Sequence, residues 1–201
     1  MLLELKRRAF GETEVLGPML LEIRRGERLA LLGSSGIGKS TLLRILLGID
    51  SGFEGRLTGT ETTAPVFQEP QLLPWRNARA NLTIATRIPP AEAEAWLERV
   101  GLAGLGDRYP RQLSLGQQRR LALARAFAAR PDILMMDEPF ASLDADTAGR
   151  MLALTEGMLT ETGAGLVLVT HDPGEAARLG ARPVLLEGRP ARLLGEGPAA
   201  A

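Results

Sequence analysis

Three groups of residues in this chain have types and spacings that do chemistry. The first is Gly33-Ser34-Ser35-Gly36-Ile37-Gly38-Lys39-Ser40-Thr41, in which a glycine and four residues precede Gly-Lys-Ser. Its glycines let the backbone bend tightly enough for successive N–H groups to converge on one concavity, which suits the β-phosphate of a nucleotide. Lys39 is then a point charge for the β- and γ-phosphates, and the Ser40 hydroxyl is a ligand for Mg²⁺. The second group is Asp137-Glu138, which closes an apolar stretch. Neighbouring side chains in a strand face opposite ways, so the two carboxylates share one site only if the chain leaves the sheet there, as Pro139 encourages. Asp137 would then hold Mg²⁺ and Glu138 would polarise an attacking water as general base. The third is His171, the single histidine, which also ends an apolar stretch and is either structural or a hydrogen-bond partner of the γ-phosphate and its water.

Three more positions have two readings each. Gln68, boxed between Pro65 and Pro70, is a solvated loop residue or a ligand for Mg²⁺ or water. Ser114 and Gln117, with Gly116 between them, form the Ser-x-x-Gln of a capping box, and equally a second helix N-terminus able to hold phosphate. Phe10 is a core residue or a stacking platform for a base.

The elements that must position these groups are legible in outline. Arg28–Leu32 reads as a buried strand leading into the glycine-rich loop, and residues 40–47 as a helix stopped by Gly48, so the loop ends on a helix N-terminus. Leu3 and Leu5 alternate with Glu4 and Lys6, then Met19, Leu21 and Ile23 with Leu20, Glu22 and Arg24, as antiparallel strands do, with turns expected at Gly11 and at Gly17-Pro18. Residues 49–55 read as loop, 56–59 as a short edge strand, and 64–70 as an apolar stub ending in an extended hinge at Gln68. From 72 to 131 the pattern is helical: a short helix near 77–88, one opened by Pro90 with Ala93, Trp96, Leu97 and Val100 on one face, and one from Ser114 to Ala129. Trp75 is either exposed for a partner or tucked beneath its loop. Strands resume at 133–136 and 166–170, with a helix at 144–162 between them. A short helix at 173–179 and a hairpin at 183–194 follow. Apolar strands alternating with helices predict an α/β fold with a mostly parallel sheet, carrying an N-terminal antiparallel β-subdomain and an inserted helical subdomain over 72–131. The expected catalytic core is then 1–71 with 132–201, all one domain.

Composition narrows the function. The 201 residues hold 24 Lys plus Arg and 24 Asp plus Glu, so no basic excess draws nucleic acid, and the few aromatics argue against a base-stacking surface for single strands. No apolar run approaches the roughly 18 residues of a spanning helix, and the start becomes charged too early for a signal peptide. The absence of cysteine excludes disulfides and fits a cytoplasmic protein. No low-complexity tract is expected beyond the Ala-Ala-Ala end.

In order, these residues resemble the nucleotide-binding subunit of ATP-binding cassette (ABC) transporters over nearly the whole chain. Phe10 matches the adenine-stacking aromatic, Gly33 to Thr41 the Walker A loop, Gln68 the Q-loop and Leu113 to Gln117 the signature. Asp137 and Glu138 match Walker B and the catalytic glutamate, Ser142-Leu143-Asp144 the D-loop, and His171 the switch histidine. The resemblance implies a P-loop NTPase that binds ATP and Mg²⁺. It implies a head-to-tail dimer in which each ATP lies between one subunit's phosphate loop and the other's signature, and a helical subdomain that contacts a membrane permease near Gln68. Val66-Phe67-Gln68, Leu72-Leu73-Pro74-Trp75 and Glu187-Gly188-Arg189-Pro190 look most like importers of the nitrate, sulfonate and taurine type, which implies a location on the cytoplasmic face of the inner membrane and, indirectly, a solute-binding protein. Two alternatives remain at this point: a soluble ABC-type ATPase of repair or translation, and a nucleotide-dependent interaction module with weak catalysis. The chain departs from the family pattern at Leu115, where the signature has Gly, in a short 48–68 segment, and in having no regulatory domain expected after the hairpin.

Overall fold

Strand β4 (Arg28–Leu32) alternates between two interiors: Leu29 and Leu31 face one apolar cluster, while Ala30 faces another. The same split holds in β7 (Ile133–Asp137) and β8 (Gly165–Val169), where Ile133, Met135, Val167 and Val169 join Leu29 and Leu31, and Leu134, Met136, Leu166 and Leu168 join Ala30. A strand buried on both faces reads as a continuous apolar run and belongs in a parallel sheet covered on two sides.

The computed structural model describes residues 1–194, and the Ala199–Ala201 run lies outside the described residues. Its main sheet has the order β10-β9-β4-β8-β7-β6, adding β6 (Thr63–Phe67), β9 (Arg182–Glu187) and β10 (Arg192–Leu194). All neighbours are parallel except the closing β9–β10 hairpin. A second, antiparallel sheet joins β1 (Leu2–Phe10), β2 (Thr13–Leu16), β3 (Met19–Glu22) and β5 (Glu54–Thr58). Helix α1 (Lys39–Leu46) packs on β7 and β8, and its Leu42, Leu43 and Ile45 share one cluster with Leu3, Leu5 and Leu21 of the antiparallel sheet. On the other face lie α2 (Ala78–Thr86), α3 (Pro90–Arg99), α4 (Leu115–Ala128), α5 (Ala145–Thr162) and α6 (Pro173–Arg178), the first three of them between β6 and β7 in the chain. No helix among the described residues is long and apolar enough to cross a membrane.

The helix boundaries follow local chemistry. Asn77, Ser114 and Asp144 cap α2, α4 and α5 with side-chain oxygens, and Gly48, Gly101 and Gly163 follow or close helices at positive φ. Two expectations are corrected. Gly17-Pro18 is no reversal: Leu5 pairs with Met19 and Arg8 with Leu16 in one continuing register, so β2 and β3 are two stretches of a single arm opposite β1. What breaks the arm is a contact, since Gly17 N donates to Ala191 O and Ala191 N to Val15 O, which ties the antiparallel sheet to the main one. The stub before Gln68 is a true strand, β6, because as the edge strand of the sheet it tolerates a proline, here Pro65, that lacks an N–H for the ladder.

Candidate active site

The glycine-rich loop leaves the C-terminal end of β4, in the middle of the parallel sheet, where ligands of such sheets collect. Gly33 (φ 150°) and Gly38 (φ 114°) need glycine for conformation and for space. A Cβ on Gly33 would lie 2.8 Å from the Leu186 carbonyl oxygen, and one on Gly38 2.7 Å from Leu16 Cδ2. Gly38 also opens α1 with no side-chain cap, and no acidic residue occupies the helix's first turn, so no side chain of α1 itself offsets the positive end that faces the loop. Lys39 is buried, and its Nζ donates to the carbonyls of Gly33 (2.9 Å) and Ser34 (3.0 Å), which folds the side chain back across the loop.

Ser40 joins the loop to the strand-end carboxylates: its Oγ donates to Asp137 Oδ1 at 2.9 Å. Burial pushes the Asp137 carboxyl above its ordinary range, and the neighbouring Glu138 adds to the rise. The Ser40 hydrogen bond and the charges of Arg44 and Lys39 only partly oppose it. Glu138 escapes strand alternation by adopting φ 44°, a left-handed conformation that costs a non-glycine residue on the order of 1–3 kcal/mol. Its N–H still donates to Val169 O at 2.9 Å, so the turn is anchored to β8. Both carboxylates thereby line one cleft of about 430 Å³ together with Ser35, Gly36, Gly38, Lys39, Ser40, Thr41, Gln68 and Val15. Gln68 arrives by register: Phe67, the last residue of β6, pairs with Asp137, so Gln68 follows directly into the cleft that Glu138 also lines. His171, just beyond β8, faces Glu138 with Nδ1 3.9 Å from Oε2 and is largely exposed.

The structure does not bring every candidate to this cleft. Gly33, Ser34 and Ile37 shape the loop without lining it. Ser114, Gly116 and Gln117 lie apart from it, with Ser114 Oγ accepting from Gln117 N (3.2 Å) and Gln117 Oε1 from Ser114 N (2.8 Å). Gly116 sits beside the start of α5, its would-be Cβ 3.6 Å from Thr147 Cγ2, and Leu115 is exposed. Asp144 caps α5 by accepting from Thr147 N at 2.9 Å, and that bond holds its carboxyl below the ordinary range. Phe10 is 52% exposed, which rules out the core reading.

Two participants carried no local signal. Val15 enters the cleft because β2 crosses the loop, and Arg125 of α4 donates to the carbonyls of Pro70 and Gln71, just after Gln68. Both depend on contacts between distant parts of the chain.

A glycine-rich loop between a central parallel strand and a helix, facing strand-end carboxylates, defines the P-loop nucleoside triphosphatases. The ABC transporter family pattern matches residues 16–141. The chain is 47% identical over 186 residues to an aliphatic sulfonates import ATP-binding protein of Frankia alni, covering 91% of this chain and 70% of that one. A protein of the same description from Pseudomonas aeruginosa is 40% identical over 205 residues, covering 93% and 82%. Among solved structures, a dimeric ATP-binding cassette in a post-hydrolysis state with ADP and phosphate superposes with a TM-score of 0.83 at 28% identity, covering 98% of each chain. The chain belongs to the ABC transporter family and is one of its ATP-binding, ATP-hydrolysing subunits.

Proposed function

We propose that this chain powers the import of a small organic anion, with aliphatic sulfonates as the first class to test, through a separate membrane permease. The reading is supported above all by the cleft that gathers Lys39, Ser40, Gln68, Asp137 and Glu138 in a chain whose relatives are named as import ATP-binding proteins. Repair or translation fits less well, since the chain has no basic excess.

In this reading the loop amides of Gly33 to Thr41 and the N-terminus of α1 bind the β- and γ-phosphates. Lys39 exchanges its two carbonyl partners for phosphate oxygens. The donor set fits Mg²⁺: the Ser40 hydroxyl and Asp137 carboxylate are hard oxygens, already 2.9 Å apart at the loop, beside a substrate able to supply the remaining oxygens. Ser40, Asp137 and Gln68 would hold the ion, which when bound supplies charge neutralisation on the phosphates. Glu138 takes a proton from the attacking water, and His171 and Gln68 orient that water against the γ-phosphate. Ser114, Gly116, Gln117 and Asp144 serve the nucleotide of a second copy, in a head-to-tail dimer.

Residues 72–131 act as the subdomain that meets the permease, where Trp75 is 67% exposed, and the assembly sits on the cytoplasmic face of the inner membrane with a solute-binding protein as an indirect partner. The test is co-purification with the membrane partner, followed by sulfonate uptake in vesicles with wild type and Glu138→Gln. Uptake that persists with the Glu138→Gln subunit would overturn the reading.

A further inference from the structure

Behind Phe10 lies a small, fully occupied network. The Arg8 guanidinium carbon stands 3.8 Å from the Phe10 ring centroid, which covers one ring face. Phe10 remains 52% exposed, so Arg8 leaves much of the residue uncovered and available for a second contact. Arg8 is itself fixed from several directions: Nε donates to Asp50 Oδ2 at 2.9 Å, and Nη1 donates to the Ala9 carbonyl. Gly52 closes the far side, since a Cβ there would lie 3.3 Å from Arg8 Cζ. Arg8 and Asp50 side chains are each only 13% exposed, so this ion pair is better shielded than a surface bridge. Asp50 has both oxygens engaged, the second by the Gly52 N–H at 2.9 Å.

The network also has an address. Ile49 and Asp50 donate their N–H groups to Arg44 O in the last turn of α1, the helix that begins at the glycine-rich loop. At the other end, Phe10 pairs with Thr13, two residues along β2 from Val15 of the cleft, or about 7 Å at ~3.3 Å per residue. A cation held against one face of an aromatic ring fixes its plane and draws electron density from the other face, which favours stacking of an electron-rich heterocycle.

We propose that Arg8 and Asp50 are positioning residues for the nucleotide base: they hold Phe10 as a preformed, cation-backed platform whose other face takes the purine, and they tie that platform to α1. The inference rests on the reading of Phe10 as the base-stacking aromatic. Phe10 makes the contact with the base, while Arg8 and Asp50 act through it.

The experiment compares Kd for ATP with Kd for inorganic tripolyphosphate, which has the phosphates and no base. It uses wild type, Phe10→Ala, Arg8→Leu, Arg8→Lys and Asp50→Asn, each checked for its thermal midpoint. Phe10→Ala should weaken ATP about tenfold. Arg8→Leu should weaken it about fivefold and Asp50→Asn somewhat less. Tripolyphosphate should change less than about twofold throughout, with Arg8→Lys falling between Arg8→Leu and wild type. If Phe10→Ala leaves the ATP to tripolyphosphate ratio unchanged, the stacking reading fails and this inference with it. If Phe10→Ala shifts the ratio while neither Arg8→Leu nor Asp50→Asn does, stacking stands and the positioning role is overturned. Loss of both ligands in parallel would also overturn it, as would Arg8→Leu failing to fold while Asp50→Asn leaves the ratio unchanged.

Discussion

Two helix N-termini in this chain are built to opposite specifications. At α1 the cap is Gly38, with no side-chain oxygen to satisfy the helix amides and no acid in the first turn, and the nearest cation is buried against its own loop carbonyls. At α4 the cap is Ser114, and a reciprocal pair of hydrogen bonds with Gln117 satisfies the end without help. Unclaimed amides at a positive helix end wait for an anion, whereas a capping box is complete in the monomer. Under the proposed head-to-tail dimer, the difference assigns the two helix ends different parts in the site. In the proposed dimer, the Gly33 to Thr41 loop is then the half that binds ATP in the single subunit, and the Ser114 to Gln117 segment the half that awaits a second copy.

The sharpest way to break this division is to remove the chemistry while leaving both ends intact. Glu138→Gln should lower turnover by roughly 10²- to 10⁴-fold with ATP binding retained, read by phosphate release against equilibrium binding. Near-normal hydrolysis would remove Glu138 from the role of base. Lys39→Ala comes next, with ATP affinity falling about 10- to 100-fold, the scale of a charge-assisted hydrogen bond, and ATP-dependent dimers vanishing from size-exclusion profiles. A variant that still dimerised on ATP would separate the loop from the shared site.

Ser114→Ala should leave ATP affinity of the monomer unchanged but abolish ATP-dependent dimerisation. Losing the cap should cost about 1 kcal/mol, a fall of roughly 2–4 °C in the thermal midpoint. Weakened ATP binding in the isolated subunit would show that the two helix ends are not independent. The smallest effect is expected for Leu115→Gly. Leu115 is exposed at the first position of α4, so the monomer should bind ATP unchanged while turnover at low protein concentration rises about two- to threefold, the equivalent of roughly 0.5 kcal/mol of closer subunit approach.

What could be read early and what could not differ in range. The glycine positions of the loop, the Asn77, Ser114 and Asp144 caps and the stops at Gly48 and Gly101 are decided within a few residues, by φ preference and by the reach of a short side chain. Apolar runs at 28–32, 133–136 and 166–170 likewise declare buried parallel strands by composition. The strand before Gln68 was obscured by Pro65, because only its place at the sheet edge makes that proline harmless. Gly17-Pro18 carries the dipeptide of a turn, but β1 pairs in one register with Leu16 before it and Met19 after it, so the chain interrupts its pairing there for Ala191 without reversing.

The sequence by itself determined the family of chemistry: a loop that must curl, a lysine and serine at its exit, and two carboxylates at the end of a strand. The tertiary structure alone decided how these meet. Burial at the end of β7 raises Asp137, and the left-handed turn anchored to Val169 swings Glu138 into the cleft. The β6–β7 register delivers Gln68 to the same cleft, and Asp50 and Arg8 hold the ring of Phe10. Each of these needs at least one partner tens of residues away in the chain, so a local signal such as Pro139 after Glu138 indicates the turn without completing the site.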